Sequence, residues 1–456
     1  MVIMSSTKGR GLFQPPHGEM ISSALGLFEP EIVESKVIGN KQCIIRPQSI
    51  PENGPIQVHI PAEGSYYVDT SSIRANMDFK IQKQDGDGDW IDIKPEVDEP
   101  SVAPVNLFTK AMFKDVECWL NQKQISLVAS TAYHLKAYLE TVCTYSGDAA
   151  RTHLQCSFLH MDVPGKYDTF PSGAHVNRAK HIMNGRQIQS TDTIHTELTT
   201  MDKYLLPGVT IDFRFSLNSP SMYLQSYAGI HLGLRAVISD FYLSFDRIEV
   251  EPTIARHIES QLSQGHSAIY GINRGTIRTK QFGAGEIYAK WQGLYTGQLP
   301  STIIFGMLDS TAYNGAVGTN PFNFQHFKVN SVQLKKNSTS IPASPLTPDF
   351  TKLMANRSYR HFLDAIGVKT GNAPCLIDYA AFLGGATLFA FDLTPDKCAS
   401  LHGHPKENGV LDIDFRFAEP LEKNITIFAL CNFDDQILIS GPMENREIYI
   451  NPTIQG

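Results

Sequence analysis

Short runs in which hydrophobic and polar residues alternate recur along the chain, the period-2 pattern of strands with one buried face. Glycines, prolines and other turn-forming residues separate these runs. The pattern therefore predicts strands in both halves of the chain: Ile56–Ile60, Ala75–Gln82, Trp90–Ile93, Phe113–Leu120, Leu232–Phe245, Ile287–Trp291, Thr302–Leu308, Phe327–Leu334, Ala386–Leu393 and Ile425–Asn432. An all-β protein is the fold class that such a pattern favours.

One strand pattern occurs twice. The letters Ile-Asp-Phe-Arg-Phe stand at residues 211–215 and again at 413–417, each time shortly after a Gly-Val pair (Gly208-Val209 and Gly409-Val410). The Ile and the two Phe alternate with Asp and Arg, so we expect the apolar side chains to face a core. We expect the Asp and Arg side chains to form ion pairs of modest strength.

A short amphipathic helix is also repeated. Four apolar residues spaced i, i+3, i+4 and i+7 predict one buried helix face in each half: Leu135, Tyr138, Leu139 and Val142, then Tyr359, Phe362, Leu363 and Ile366 at a constant offset of 224 residues. Gly147 and Gly371, at the same offset, are predicted to end the two segments.

A third set of matches precedes the helices at a constant offset of 216 residues: Phe108, Val116, Asn121 and Ile125 pair with Phe324, Val332, Asn337 and Ile341. Three collinear matches indicate an internal duplication. The offset falls to 202 at the repeated strand, so the first copy carries about 20 additional residues. The segment 163–193 is polar, rich in turn residues and without period, and is predicted to be a surface loop.

The spacing of strands in each copy fits an eight-stranded antiparallel sandwich. We therefore predict two tandem jelly-roll β-sandwiches, each with a short helix: a double jelly roll. The predicted divisions are a flexible arm at 1–35, a first jelly roll at 36–250, a helical connector at 251–265 and a second jelly roll at 266–456. Within the connector, Thr253–Gln264 is predicted to be helical because it follows Pro252.

Composition narrows the classes of function. The chain of 456 residues is long enough for two domains, and a net charge of −7 argues against a general nucleic-acid binder. No apolar run approaches the ~20 residues of a membrane helix, and the start lacks a signal-peptide core. The seven cysteines are scattered without a CxxC pair, so buried free thiols in a reducing compartment are expected.

Two patterns resemble metal sites. Asp85-Gly-Asp-Gly-Asp89 has the acidic spacing of a calcium loop, but Trp90 stands where that loop needs glycine, so we predict a hairpin turn. His402-Gly-His404 followed by Glu407 resembles the cupin metal motif, but the glutamate comes one position early, and metal binding is disfavoured.

The sequence has no GxGxxG motif that opens a helix after a strand, no Walker lysine, no GxSxG elbow and no HExxH motif. No catalytic, cofactor-binding or metal-binding residue is therefore assigned, and the protein is not expected to be an enzyme. The Gly384-Gly385 pair directly precedes a predicted strand. There, close backbone packing is the simplest explanation for two glycines.

Several longer motifs resemble one family: Gly297-Gln-Leu-Pro300, Asn314-Gly315, Asn320-Pro-Phe-Asn-Phe-Gln-His-Phe327, Phe389-Ala-Phe-Asp-Leu-Thr-Pro-Asp396, Pro104-Val-Asn-Leu-Phe108, and Tyr138-Leu-Glu140-Thr141 with Tyr145. The chain is similar, from about residue 25 to 435, to the major capsid (hexon-like) proteins of Maverick/Polinton elements and adintovirus-like viruses.

The resemblance implies a double jelly-roll major capsid protein that forms pseudo-hexagonal homotrimers and then an icosahedral lattice. It implies penton or minor capsid proteins as further partners, a virion location, synthesis in the host cytoplasm, and assembly in the host nucleus or cytoplasm. The 163–193 insert would be an outward or trimer-forming loop. The arm, with Lys8 and Arg10, would face inward or toward neighbouring subunits.

Three alternatives remain open at this point. A minor capsid protein is usually a single jelly roll and gains little from two copies. A host-adopted β-sandwich binding module, such as a lectin-like protein, should carry exposed aromatics and carboxylates in one set of loops. A bicupin metalloenzyme needs histidine ligands on matched strands, and the two copies share no histidine at aligned positions.

Overall fold

The computed structural model describes residues 35–52, 54–93, 102–126, 132–170, 172–226, 233–369, 374–399 and 402–450. The strands within these ranges are β1 (Val37–Ile45), β2 (Ile56–Ile60), β3 (Tyr67–Gln84), β4 (Trp90–Asp92), β5 (Val102–Pro104), β6 (Phe113–Leu120), β7 (Lys123–Gln124), β8 (Ile188–Thr193), β9 (Ile211–Leu217), β10 (Leu224–Ser226), β11 (Leu234–Val250), β12 (Ala268–Phe282), β13 (Tyr288–Gln298), β14 (Thr302–Asp309), β15 (Val329–Lys336), β16 (Thr339–Leu346), β17 (Leu388–Asp392), β18 (Asn408–Phe417), β19 (Ile425–Ser440) and β20 (Glu447–Ile450).

The helices of the described ranges are short. They are α1 (Phe108–Ala111), α2 (Tyr133–Thr144), α3 (Gly147–Arg151), α4 (Gly173–Ala179), α5 (Pro220–Tyr223), α6 (Pro252–Ser263), α7 (Ser310–Tyr313), α8 (Asn356–Ala365) and α9 (Tyr379–Leu383). None of them is long and apolar enough to cross a membrane.

The strands of the first copy, β1 to β11, form two main antiparallel sheets. One has the order β1-β11-β3-β8, with β4 also pairing the end of β3, and the other has the order β2-β9-β6-β7. A small third sheet pairs β10 with β5.

The second copy, β12 to β20, repeats this arrangement. Its sheets have the orders β12-β19-β14-β17 and β13-β18-β15-β16, and β20 adds to the end of β19. Without the short strands β4, β5, β10 and β20, each copy has eight main strands. Numbered from 1 to 8 in chain order, they follow the order 1-8-3-6 in one sheet and 2-7-4-5 in the other, in both copies. The same Greek-key order in both copies is that of a jelly roll. The predicted double jelly roll is confirmed.

The repeated pentapeptide lies in the same place in both copies, in β9 and in β18. In each, the Ile and both Phe are buried, and the Asp and Arg between them are more exposed. Val116 pairs with Phe215 in the first copy, whereas Val332 pairs with Phe415 in the second. The sequence offsets would pair Val332 with Phe417, so the observed partner lies two residues earlier in the strand. Because side chains alternate between the two faces with a period of two, this shift leaves the same face buried.

The repeated helices are α2 and α8. In α2, Leu135, Tyr138, Leu139 and Val142 are all buried, as predicted, but the helix ends at Thr144 and Gly147 begins α3. In α8, Phe362 is buried while Tyr359 and Leu363 are only partly buried, and Ile366 lies just beyond the helix end. Gly371 lies outside the described residues.

The helix predicted between the two copies is present as α6. It begins at Pro252, and the carboxylate of Glu251 accepts hydrogen bonds from the backbone N–H groups of Thr253 and Ile254. That side chain supplies the N-terminal cap. The predicted arm lies outside the described residues, apart from Ser35.

The prediction of a surface loop at 163–193 is wrong for much of that segment. It contains α4 and the strand β8, which pairs with Arg74–Phe79 of β3. The buried face of β8 carries Ser190 and Asp192, so a hydrophobic period is not visible in its sequence. Asp192 accepts hydrogen bonds from Thr109 Oγ1 at 2.5 Å, Lys110 Nζ at 2.5 Å and Ser157 Oγ at 2.8 Å, which compensates for its burial.

Candidate functional site: the inter-copy interface and surface loops

The two jelly rolls contact each other through a surface that we call the inter-copy interface: α2 and residues 162–168 of the first copy against residues 320–324, 376 and 384–385 of the second. At its centre the ring of Tyr138 stacks on Phe322, with centroids 4.1 Å apart, and meets Phe324 edge-on at 5.8 Å. All three rings are almost fully buried. The backbone N–H of Leu376 donates to Val142 O at 2.8 Å, which attaches the end of α2 to the second copy.

Polar contacts from residues 162–168 surround these rings. Asp168 accepts hydrogen bonds from the backbone N–H of Asn320 at 2.6 Å and from Asn323 Nδ2 at 2.5 Å. Asn320 Nδ2 donates to Asp162 Oδ2 at 3.2 Å. The first residues of the segment predicted to be an outward or trimer-forming loop therefore lie between the two copies.

The Gly384-Gly385 pair permits this close approach, as predicted. The N–H of Gly165 donates to Gly384 O at 2.5 Å, and a Cβ on Gly384 would lie 2.7 Å from Gly165 N. Gly385 has φ +126°, and a Cβ there would lie 2.5 Å from the ring of Tyr167. Backbone and ring leave no room for a side chain at either position.

A buried arginine holds the same segment against other parts of the first copy. Arg178 is fully buried and donates to Pro104 O at 2.7 Å, His160 O at 2.6 Å and Asp162 Oδ1 at 2.7 Å. Because Asp162 also accepts from Asn320, its carboxylate joins α4 to the second copy. Burial lowers the pKa of the neighbouring His175, and the positive charge of Arg178 lowers it further.

A second group of contacts between the copies is made by two arginines of the second copy. Arg446 donates to Pro207 O at 3.2 Å and forms an ion pair with Glu259 of α6. Arg274 of β12 pairs with Asp435 at 3.1 Å and donates to Ile125 O of the first copy at 3.2 Å. Backbone and side-chain contacts of this kind fix the two copies relative to each other.

The acidic segment at 85–89 forms the predicted hairpin turn. Residue Gln84 pairs with Trp90 across the turn, and Asp85 Oδ1 accepts hydrogen bonds from the backbone N–H groups of Asp87 at 3.0 Å and Asp89 at 2.8 Å. The carboxylate of Asp85 therefore caps a turn, the ordinary role of aspartate there.

The histidine pair at 402 and 404 does not meet Glu407, whose carboxylate contacts Lys336 Nζ at 2.5 Å. Instead Asp396 lies beside both rings, 2.9 Å from His402 Nε2 and 2.8 Å from His404 Nε2. Burial opposes protonation of His404, but the hydrogen bond to Asp396 raises its pKa, helped by Asp434. Spacing in the sequence pointed to Glu407 because the fold-back of the loop after β17 is not visible in the sequence.

The charged residues of the repeated strands pair with neighbouring strands. Asp212 lies 2.6 Å from His59 Nδ1, and Arg214 lies 3.6 Å from Glu117. In the second copy Asp414 pairs with Lys335 at 2.7 Å, and Arg416 lies over the ring of Tyr288. These groups are partly exposed, so each pair contributes little to stability.

All seven cysteines are free thiols. Cys118, Cys143 and Cys431 are buried, and burial raises the pKa of each thiol. Cys156 is exposed, so the expectation of burial is wrong for that residue.

No family model matches the chain. It is 23% identical over 327 residues to an uncharacterized protein of Caenorhabditis elegans, an alignment that covers 71% of this chain and 76% of the relative.

Several solved structures that resemble this chain are of viral proteins. A chain of the Sputnik virophage has a TM-score of 0.59 at 10% identity and covers 98% of this chain and 94% of its own. The mavirus major capsid protein has a TM-score of 0.55 at 12% identity and covers 97% of each chain. The faustovirus major capsid protein has a TM-score of 0.52 at 10% identity and covers 91% of this chain and 93% of its own. At these identities the likeness establishes the fold: the chain is a double jelly-roll protein.

Proposed function

We propose that this chain is a major capsid protein, a structural subunit that assembles as pseudo-hexagonal homotrimers into an icosahedral shell. The observation that carries the proposal is the identical strand order of the two jelly rolls, together with a likeness that spans more than nine tenths of the chain to viral proteins of this fold. A shell subunit needs a rigid body with repeated lateral surfaces, and we propose no catalytic role for it.

The duplication has a direct use in such an assembly. Three chains with two similar modules each place six modules around a threefold axis, which approximates a hexagon that can tile a flat facet. We propose that the modules are residues 36–250 and 266–456, joined by the connector at 251–265. In support, the strand pairings among the described residues join strands of the same copy.

Pseudo-sixfold symmetry also suggests where subunits meet. Within one chain, α2 of the first copy packs on the second copy. By the pseudo-sixfold symmetry, the surface beside α8 of the second copy would face the first copy of the next subunit. The turn before α8 exposes two adjacent apolar side chains, Leu353 and Met354, which are 63% and 64% accessible in the single chain. Apolar residues in such a position are typical of an interface core.

Sedimentation and negative-stain electron microscopy of the purified full chain test the proposal. The chain of 50.6 kDa should sediment as a trimer of about 150 kDa, and concentrated samples should form hexagonal arrays or closed particles. Replacing Leu353 and Met354 together by glutamate should give a folded monomer, because the charges would be buried in the trimer.

A matched control in the same turn is Lys352→Gln, which removes an exposed charge but no apolar surface. This variant should remain trimeric. A wild-type chain that stays monomeric at micromolar concentration and forms no arrays would contradict the capsid proposal and favour a binding module. A wild-type trimer that the double glutamate variant leaves intact would contradict only the assignment of the subunit contact.

Finer features follow from the motif resemblance and the capsid proposal together. We propose that the protein belongs to a Maverick/Polinton-like element, that it resides in the virion, and that penton or minor capsid proteins complete the shell. We further propose that residues 1–35, with Lys8 and Arg10, face the interior or neighbouring subunits. Synthesis would take place in the host cytoplasm and assembly in the host nucleus or cytoplasm.

A further inference from the structure

Two histidines and one carboxylate meet in the loop between β17 and β18. The two oxygens of Asp396 lie 2.9 Å from His402 Nε2 and 2.8 Å from His404 Nε2, and the ligand atoms of the three residues lie within 4.8 Å of one another. The two imidazole rings lie side by side, with centroids 4.6 Å apart. Three donor atoms therefore converge on one small volume.

The surroundings of His404 fit a metal ligand. Its side chain is only 9% accessible, and its second ring nitrogen, Nδ1, lies 3.4 Å from Asp434 Oδ2 of β19. The same carboxylate oxygen accepts the backbone N–H of His404 at 3.2 Å. A carboxylate behind the second nitrogen of a histidine is the usual outer support of a metal-binding imidazole, because it orients the ring and increases its basicity.

We infer that Asp396, His402 and His404 bind one divalent transition-metal ion of the zinc class. Two imidazole nitrogens with one carboxylate oxygen are ligands that Zn²⁺ accepts, whereas Ca²⁺ and Mg²⁺ prefer sites made of oxygen. In a tetrahedral site with bonds of about 2.0 Å the ligand atoms lie about 3.3 Å apart. The carboxylate–imidazole distances of 2.9 Å and 2.8 Å would therefore open by roughly half an ångström. A water molecule would complete the coordination.

The position of the site suggests its role. The loop that carries the three ligands lies beside an open cleft that Thr200 and Asp202 of the first copy share with Asp434 and His402 of the second. A bound ion would fasten this loop to β19 and so stabilise one end of the second jelly roll. The inference does not depend on the capsid proposal, since binding can be measured on a monomer or a trimer.

Calorimetric titration with Zn²⁺ tests the site on full-length, untagged protein that has been stripped with EDTA and dialysed. Wild-type protein should bind one zinc per chain, confirmed by elemental analysis after removal of loosely bound metal, and its melting temperature should rise with zinc. A double variant with His402→Ala and His404→Ala should no longer bind zinc at this site. Asp396→Asn should weaken zinc binding at least about tenfold. Asp434→Asn, which alters only the outer support, should weaken it roughly tenfold.

Glu407→Gln is the matched control, because this carboxylate lies in the same loop but pairs with Lys336. It should leave zinc affinity unchanged. Circular dichroism and melting curves without zinc would verify that every variant is folded. The inference is overturned if wild-type protein retains no zinc, if the double histidine variant still binds one equivalent, or if Glu407→Gln weakens binding as much as Asp396→Asn.

Discussion

Tyr138 of the first copy stacks face to face on Phe322 of the second, with ring centroids 4.1 Å apart and planes within 5° of parallel. The residue at the repeat position of Tyr138 is Phe362, which packs within its own copy, against Phe382. The same helix position therefore serves two purposes. In α2 it joins the two jelly rolls, and in α8 it fills the core of one.

We predict that Tyr138→Ala destabilises the protein by about 3 kcal/mol, because it leaves a cavity at the inter-copy interface and removes the stacked pair. Tyr138→Phe keeps the ring and should cost much less. Urea denaturation monitored by fluorescence would measure the unfolding free energy of both variants. Equal losses for the two variants would show that the ring contact contributes little.

The buried pair of Arg178 and Asp162 gives a second prediction. Arg178→Ala should cost about 3–5 kcal/mol, because the carboxylate of Asp162 and two backbone carbonyls would lose their donor while buried. Arg151→Ala is the control, since Arg151 is exposed and lies 3.8 Å from an equally exposed Asp148. That change should alter stability by less than about 0.5 kcal/mol. Thermal unfolding of the two variants in parallel would show whether burial, rather than charge, sets the cost.

Gly385→Ala should also be strongly destabilising. The residue has φ +126°, and its new methyl group would meet the ring of Tyr167 at 2.5 Å, so both backbone strain and a clash oppose it. Gly147→Ala is the matched control at the start of α3, where no atom lies within 4 Å of the added carbon. Soluble yield and melting temperature should fall for Gly385→Ala and not for Gly147→Ala. A tolerated alanine at 385 would mean that residues 162–168 can move away from the second copy.

Most of the fold could be predicted from the sequence, because the repeated strands bury Ile and Phe at alternate positions, and β2 and β6 have the predicted bounds. The sixth main strand of the first copy, β8, was missed for a physical reason. Its inward residues, Ser190 and Asp192, lie where apolar side chains would be expected, and Asp192 is stabilised by hydrogen bonds from distant elements rather than by apolar packing. Hydrophobic periodicity cannot detect a strand of that kind.

The histidine cluster shows a similar limit. The residues His402 and His404 could be singled out by their spacing, but the partner Asp396 could not. It lies on the other side of a turn whose path depends on contacts with β19. Spacing along the chain identifies ligands that share one strand or helix, and it fails where a loop folds back on itself.

The pH dependence of stability gives the last prediction, at Asp115 of β6. Partial burial raises the pKa of this carboxyl group to about 6, helped by the negative charge of Glu117 two residues along the same face. Between the ordinary value of 3.8 and about 6 the folded chain therefore binds more protons than the unfolded chain, so this group makes the free energy of unfolding fall as pH rises through that window. A two-unit shift of the pKa corresponds to about 3 kcal/mol of unfolding free energy for a group shielded from solvent, and partial exposure reduces this to about 1 kcal/mol here.

Asp115→Asn should then stabilise the protein by about 1 kcal/mol at pH ~8 and by almost nothing near pH ~4. Denaturation midpoints at the two pH values would measure the difference, with Asp148→Asn as an exposed control for net charge. A gain of equal size at both pH values would instead assign the effect to the amide group and contradict the raised pKa.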